Sequence, residues 1–210
     1  MRENVKFRNL RKKYSLLNNN NQTEIIMFES LLRTEDSAIS ILKKDHDKVK
    51  DLFEKFEDAE GLREKKRIVG EAITELKLHA AVEEGIFYPA VREAVGKKLM
   101  TEADEEHHVA KVLIAELEQM DGSEEHYDAK FRVLAENIRH HIKEEERHMF
   151  PEAETASVDL DMDALGAEMQ SRKKELKKSG VAEFLEEKMV KNAKGKTDSP
   201  AAEALKKKSA

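Results

Sequence analysis

Residues 79–89 read HAAVEEGIFYP and residues 141–151 read HIKEEERHMFP. Each runs His-x-x-x-Glu-Glu and closes on a proline ten places after the histidine. On an α-helix, residues four apart lie one above the other, so each segment directs an imidazole and a carboxylate to the same side. Upstream of both, the same side is apolar: Val69, Ala72 and Leu76 lead into His79 and Glu83, as Phe131, Leu134 and Ile138 lead into His141 and Glu145. A His/Glu pair that continues an apolar stripe faces the core, and the chain carries two of them.

Working outward, the two halves repeat at a nearly constant offset. His79 to His141, Glu83 to Glu145 and Pro89 to Pro151 are each 62 residues apart, and His46 to His107 is 61. His46 heads the row Val49, Phe53, Phe56, and His107 the row Ala110, Ile114, Leu117. These rows keep three-four spacing, the signature of an amphipathic helix. A duplicated pair of helices follows, with a core-facing histidine on each of four. Helices of about 24 residues span about 36 Å, and short connections make successive ones antiparallel, so the four histidines meet at one level.

Punctuation places the elements. A first helix starts near Thr34 or Ser37 and stops at Gly61, and a second starts near Leu62 and is kinked or ended by Pro89 before Gly96. A third starts at the capping box Thr101-x-x-Asp104 and ends at Asp121-Gly122, and a fourth runs from Ser123 to Phe150-Pro151. A fifth, from about Asp161 or Asp163 to Lys178, lies against the bundle through Leu165, Met169 and Leu176, and 181–190 adds a short sixth. The organisation expected is a flexible N-terminal extension over 1–33, with Met27 as an alternative start, then a four-helix bundle over 34–155. A helical extension over 156–191 and a disordered lysine-rich tail over 192–210 follow. The fold class is all-α, an up-down four-helix bundle with an additional C-terminal helix.

Composition agrees: 39% of residues are charged, with only three prolines and eight glycines, which suits helices with wide solvated faces. The net charge of −6 is spread along the chain and gives no footprint for nucleic acid. Without cysteine, disulfides, thiolate metal sites and cysteine nucleophiles are excluded, so a metal must be held by histidine and carboxylate, which brings forward iron, manganese and zinc. No apolar run is long enough to span a membrane, and no secretory signal is visible, so a cytoplasmic location is expected. No oligomeric state follows from the helix faces.

Four imidazoles and at least two carboxylates in one core cost on the order of several kcal/mol unless they are paired or bind a cation. A two-metal centre with bridging carboxylates meets that requirement and leaves coordination positions for water or a small ligand. The residues from Ser37 to Pro151, with single His, HxxxE ending in an aromatic–proline pair, single His and a second HxxxE, resemble the hemerythrin-like family of HHE cation-binding domains. The resemblance implies a non-haem di-iron site held by His46, His79, Glu83, His107, His141 and either Glu145 or Glu146. Glu145 repeats Glu83 and is preferred; the oxygen carriers of the family place this carboxylate five after the histidine, which selects Glu146. Those carriers also have a second histidine where Lys111 stands.

The implied functions are binding of dioxygen, nitric oxide or iron as sensor, buffer or store, or a di-iron oxidoreductase acting on peroxide or nitric oxide. Manganese or zinc in place of iron, and a helical scaffold with incidental histidines, are the remaining alternatives. Of the other histidines, His108, His126 and His140 read as surface residues, while His148 shares the Glu145 face and is a candidate extra ligand or supporting donor. Glu145-x-x-His148 and Glu105-x-x-His108 also match an element of ferritin-like bundles. Asp161 and Asp163 read as helix-capping acids.

Overall fold

The computed structural model describes residues 37–156 and 160–179. Its helices are α1 (Ala38–Asp58), α2 (Leu62–Val82), α3 (Tyr88–Val91), α4 (Lys97–Gln119), α5 (Tyr127–Glu144), α6 (Phe150–Ala156) and α7 (Met162–Ser179). Two single π turns, Glu83–Phe87 and Glu145–Met149, join α2 to α3 and α5 to α6. The rods α1, α2–α3, α4 and α5–α6 form the all-α bundle, with α7 laid across α1, α2 and the first π turn. The N-terminal extension, the short helix over 181–190 and the tail lie outside the described residues.

Local chemistry sets the boundaries. Ser37 caps α1, its hydroxyl accepting from the Ser40 amide at 3.3 Å. Gly61 and Gly122 turn the chain with φ of +82° and +90°, a region where a Cβ is strained. Two starts differ from expectation. α4 begins at Lys97, one turn before the Thr101-x-x-Asp104 box, because Thr101 Oγ1 donates to the Lys97 carbonyl inside the helix instead of capping it. α5 begins at Tyr127 instead of Ser123, because Ser123 closes the preceding turn, its amide and hydroxyl both donating to Asp121. Asp161 accepts from the Ala164 amide and so caps α7.

The π turns explain how the chain passes Pro89 and Pro151. Proline has no N–H and its ring crowds the carbonyl four residues back, so an α ladder cannot run through it unchanged. Tyr88 and Phe150, the residues just before each proline, bond back five places to the carbonyls of Glu83 and Glu145. Each bulge therefore opens at the carboxylate residue of an HxxxE pair.

Two apolar clusters fill the bundle. One contains Val49, Phe53, Phe56, Leu76, Ile114, Leu117, Phe131 and Ile138. The other contains Leu42, Val82, Phe87, Tyr88, Met100, Met149, Phe150 and, from α7, Met169. Leu176 adds a second anchor for α7 on Leu78 and Ala81. Between the two large clusters lies a layer of buried polar side chains, at the level where the four histidine rows meet.

The α4–α5 turn gives a first expected result. A Cβ at Gly122 would sit 2.9 Å from Lys66 Cγ and 3.1 Å from Leu62 Cδ1, in addition to the positive φ. Gly122→Ala should cost about 1–2 kcal/mol, read as a lower denaturant midpoint with unchanged slope.

Candidate metal centre

The polar layer consists of His46, His79, Glu83, His107, His141 and Glu145, all buried, with Glu83 at 0% and Glu145 at 1% exposure. Every histidine turns Nε2 toward the two glutamates. His79 Nε2 lies 3.0 Å from Glu83 Oε1 and His107 Nε2 lies 3.3 Å from Glu83 Oε2. His46 Nε2 and His141 Nε2 lie 3.2 and 3.5 Å from Glu145 Oε2. His46, His79, Glu83 and Glu145 form one group of converging donors, and Glu83, His107 and His141 a second; within each group one atom from every residue lies within 4.8 Å of the others. Glu83 belongs to both.

Proximity here is not satisfaction. His46 Nε2, His79 Nε2, both oxygens of Glu83 and Glu145 Oε2 are buried and make no hydrogen bond of acceptable geometry. Orphaned polar atoms in a core cost on the order of 1–3 kcal/mol each, so five of them converging on one space is a donor set suited to cations.

The opposite ring nitrogens are all held. Asp45 of α1 lies 3.4 Å from His79 Nδ1 on α2, and Glu84 of the first π turn lies 2.9 Å from His107 Nδ1 on α4. Glu106 of α4 lies 2.9 Å from His141 Nδ1 on α5, and Glu146 of the second π turn lies 2.9 Å from His46 Nδ1 on α1. The circle closes: each helical rod carries the carboxylate that orients the histidine of the next. A carboxylate on Nδ1 fixes the tautomer that leaves Nε2 as the inward donor.

This electrostatic setting is lopsided toward charge. Burial disfavours the His79 cation, yet Glu83 and Asp45 outweigh it and hold its pKa up at about 10. His107, buried between Glu83 and Glu84, is raised to about 9 by the same balance. Burial opposes ionisation of Glu83 as well, and the two imidazoles nevertheless keep its carboxyl well below the ordinary range. Glu84 is lowered to about 2 against its own burial by His107 and Lys111.

All six residues expected at the centre from sequence are brought together, with Glu145 facing inward and Glu146 on the outer nitrogen of His46. His148 is not among them: its side chain is 55% exposed and lies 3.8 Å from Glu144. The π turn that begins at Glu145 rotates the residues after it away from the α-helical face on which His148 was expected. Glu105 and His108 are exposed, as is His148, which removes the ferritin-like alternative; His126 is exposed as expected. Lys111, where the oxygen carriers have a second histidine, pairs with Glu84, the carboxylate behind His107.

Tyr88 was not anticipated. Its hydroxyl donates to Glu145 Oε1 at 2.9 Å and lies 3.2 Å from His107 Nε2. The signal was present in the repeat, since Phe150 stands at the matching place and one half carries a hydroxyl the other lacks. Tyr88→Phe keeps the ring and removes a hydrogen bond to a buried carboxylate. It should destabilise the metal-free protein by about 1.5–3 kcal/mol, measured by chemical denaturation in the presence of chelator.

An all-α bundle whose core presents two groups of histidine and glutamate placed to hold a metal defines a cation-binding helical protein. Residues 37–153 match the hemerythrin HHE cation binding domain, more than half of the chain, and the protein belongs to that family. It is similar in structure to a hemerythrin HHE cation binding domain-containing protein of Mycobacterium kansasii, with a TM-score of 0.61 at 27% identity over 70% of this chain and 91% of that one. An uncharacterized protein of Mycobacterium tuberculosis is 28% identical over 145 residues, which are 68% of this chain and 89% of that protein. A DNA nickase of Nostoc sp. is 26% identical over 110 residues, 52% of this chain, and the chain spans only 31% of that protein's length. Among the described residues no helix is long and apolar enough to cross a membrane.

Proposed function

We propose that the protein binds two iron ions, with His46, His79, His107 and His141 as terminal donors and Glu83 and Glu145 as bridging carboxylates. On this reading it serves as a sensor, buffer or store that takes up dioxygen, nitric oxide or iron itself. The observation that carries it is the sharing of Glu83 by two donor groups, with both Glu83 oxygens, His46 Nε2, His79 Nε2 and Glu145 Oε2 left without a hydrogen bond. Histidine with carboxylate and no thiolate is a donor set suited to iron, with manganese or zinc the competing occupants. Bound there, a pair of irons supplies Lewis acidity and one-electron redox chemistry toward small ligands.

The chain's own residues shape what reaches that space. A cavity of about 30 Å³ lies against His79, His107 and His141, walled by Leu76, Ala110, Ile114 and Ile138 with Lys111 beside them. It has room for one or two small molecules at most, since a single water needs about 10–15 Å³ of such volume. That size supports a diatomic ligand or peroxide and disfavours an organic substrate.

Elemental analysis of protein made in iron-replete cells tests the reading. About two irons per chain with charge-transfer absorption, falling in His79→Ala and His141→Ala, is the expected result. Equal, near-zero metal in all three removes the proposal, and a single zinc removes its oxygen chemistry. The cavity beside Lys111 also favours a second reading, an oxidoreductase acting on peroxide or nitric oxide. Oxygen evolution from peroxide no faster than with free iron sinks its peroxide form.

A further inference from the structure

Each carboxylate behind a histidine has a further nitrogen partner. Lys111 pairs with Glu84, His140 Nε2 lies 3.3 Å from Glu106 Oε1, and Lys50 Nζ lies 3.6 Å from Glu146 Oε1. These three partners come from the bundle helices α4, α5 and α1. The fourth does not: Asp45, which faces His79 Nδ1, pairs through its other oxygen with Lys173 of α7. This pair is the most enclosed of the four, with side chains 14% and 12% exposed. Met169 and Leu176, one turn to either side of Lys173, are buried against the bundle and fix the lysine over Asp45.

We infer that α7 is a working part of the metal centre, with Lys173 a positioning residue that acts through Asp45 on His79 and sets the reduction potential of the bound metal. The inference rests on the iron reading above. The direction follows from charge. Asp45 makes the His79 ring a stronger donor by drawing on its Nδ1 proton, and Lys173 restrains Asp45 by holding the other oxygen. Removing the lysine leaves an uncompensated negative charge behind the ligand, which favours the more positive, oxidised metal and lowers the potential. Removing the aspartate charge does the reverse. Packing alone predicts no such opposition of sign, because loss of either partner would loosen α7 alike.

The test is a spectroelectrochemical titration of the iron-loaded full chain. In Lys173→Met the oxidised-to-reduced ratio at fixed potential should rise about tenfold, a shift of about 59 mV for one electron. Asp45→Asn should move it the other way and weaken iron binding by about 10–100-fold. Lys173→Arg should restore the wild-type value, and Lys174→Met, which removes a neighbouring exposed lysine, should leave it unmoved. An unchanged potential in a folded, iron-loaded Lys173→Met overturns the inference, as does a shift of equal size in Lys174→Met. Should Lys173→Met fail to fold, Asp45→Asn decides: a potential that does not rise overturns it. A wild-type chain that takes up no iron defeats the iron reading itself, before any variant is compared.

Discussion

Replacing Glu83 by glutamine should strip the protein of nearly all its bound iron, whereas the same change at an outer carboxylate such as Glu106 should only weaken binding. Glu83 is the residue common to both donor groups, with one oxygen toward His79 and the other toward His107. Glutamine keeps the shape and offers one neutral carbonyl oxygen, so it can neither bridge two cations nor balance their charge. Outer partners of metal ligands typically change affinity by 10–100-fold, so the loss at Glu83 should exceed about 100-fold. Competition against a chelator of known affinity measures it. Glu83→Gln binding two irons within tenfold of wild type would show that Glu83 does not bridge. The same variant has a metal-free readout, because His79 and His107 owe their raised pKa values partly to Glu83. Both imidazoles should titrate nearer neutrality in it.

The contrast between Glu83 and Glu106 shows what was readable along the chain and what was not. The inward residues announce themselves because they extend apolar rows: a histidine at the end of Val69, Ala72 and Leu76 has to face the core, and its Glu four places on has to follow. The helices were readable for the same reason. The outer carboxylates Asp45, Glu84, Glu106 and Glu146 stand one residue off those rows, where charged residues normally meet solvent. Their partners lie on the neighbouring rod, a relation that no local spacing encodes. One trace of them is in the sequence, since each inward row has an acidic neighbour: Asp45-His46, Glu83-Glu84, Glu106-His107 and Glu145-Glu146. The misplaced starts of α4 and α5 have a different origin. Thr101 and Ser123 carry cap chemistry, but a serine or threonine can spend its hydroxyl inside a helix or in a turn equally well, and tertiary contacts choose.

The π turns join fold and site in a way spacing alone could not reveal. A strictly α-helical continuation would keep His148 beside Glu145 and keep the residues before each proline on the straight ladder. The extra residue taken up between Glu83 and Tyr88, and between Glu145 and Phe150, shifts everything beyond the carboxylate. Tyr88 thereby arrives over Glu145, from the opposite half of the bundle, and His148 swings out. The proline that ends each motif is thus tied to the position of the carboxylate that begins the bulge.

Iron uptake should tighten steeply as pH rises through neutrality, while the metal-free protein should lose stability over the same range. In the metal-free chain His79 titrates at about 10 and His107 at about 9, so both rings are cations at pH 7. An ion that takes their inward nitrogens must displace one proton from each. Two displaced protons make apparent affinity rise by up to about 100-fold per pH unit below pH 9, levelling as the two pKa values are passed. Glu83 adds no proton to this count, because its carboxyl titrates well below the ordinary range. For the metal-free fold the sign is opposite. Histidines raised from 6.5 contribute stability that is complete below that pH and lost as pH climbs toward 9 and 10. The lowered carboxyls of Asp45, Glu83 and Glu84 contribute stability that is present above their ordinary values and lost in acid. Melting temperature without metal should therefore fall between about pH 6.5 and 9, and the gap between loaded and metal-free protein should widen over that interval. Calorimetry in buffers of different ionisation enthalpy counts the protons directly. Binding that releases none, with an affinity flat from pH 6.5 to 8.5, would mean that iron does not displace the protons of His79 and His107 and so does not bind at their inward nitrogens.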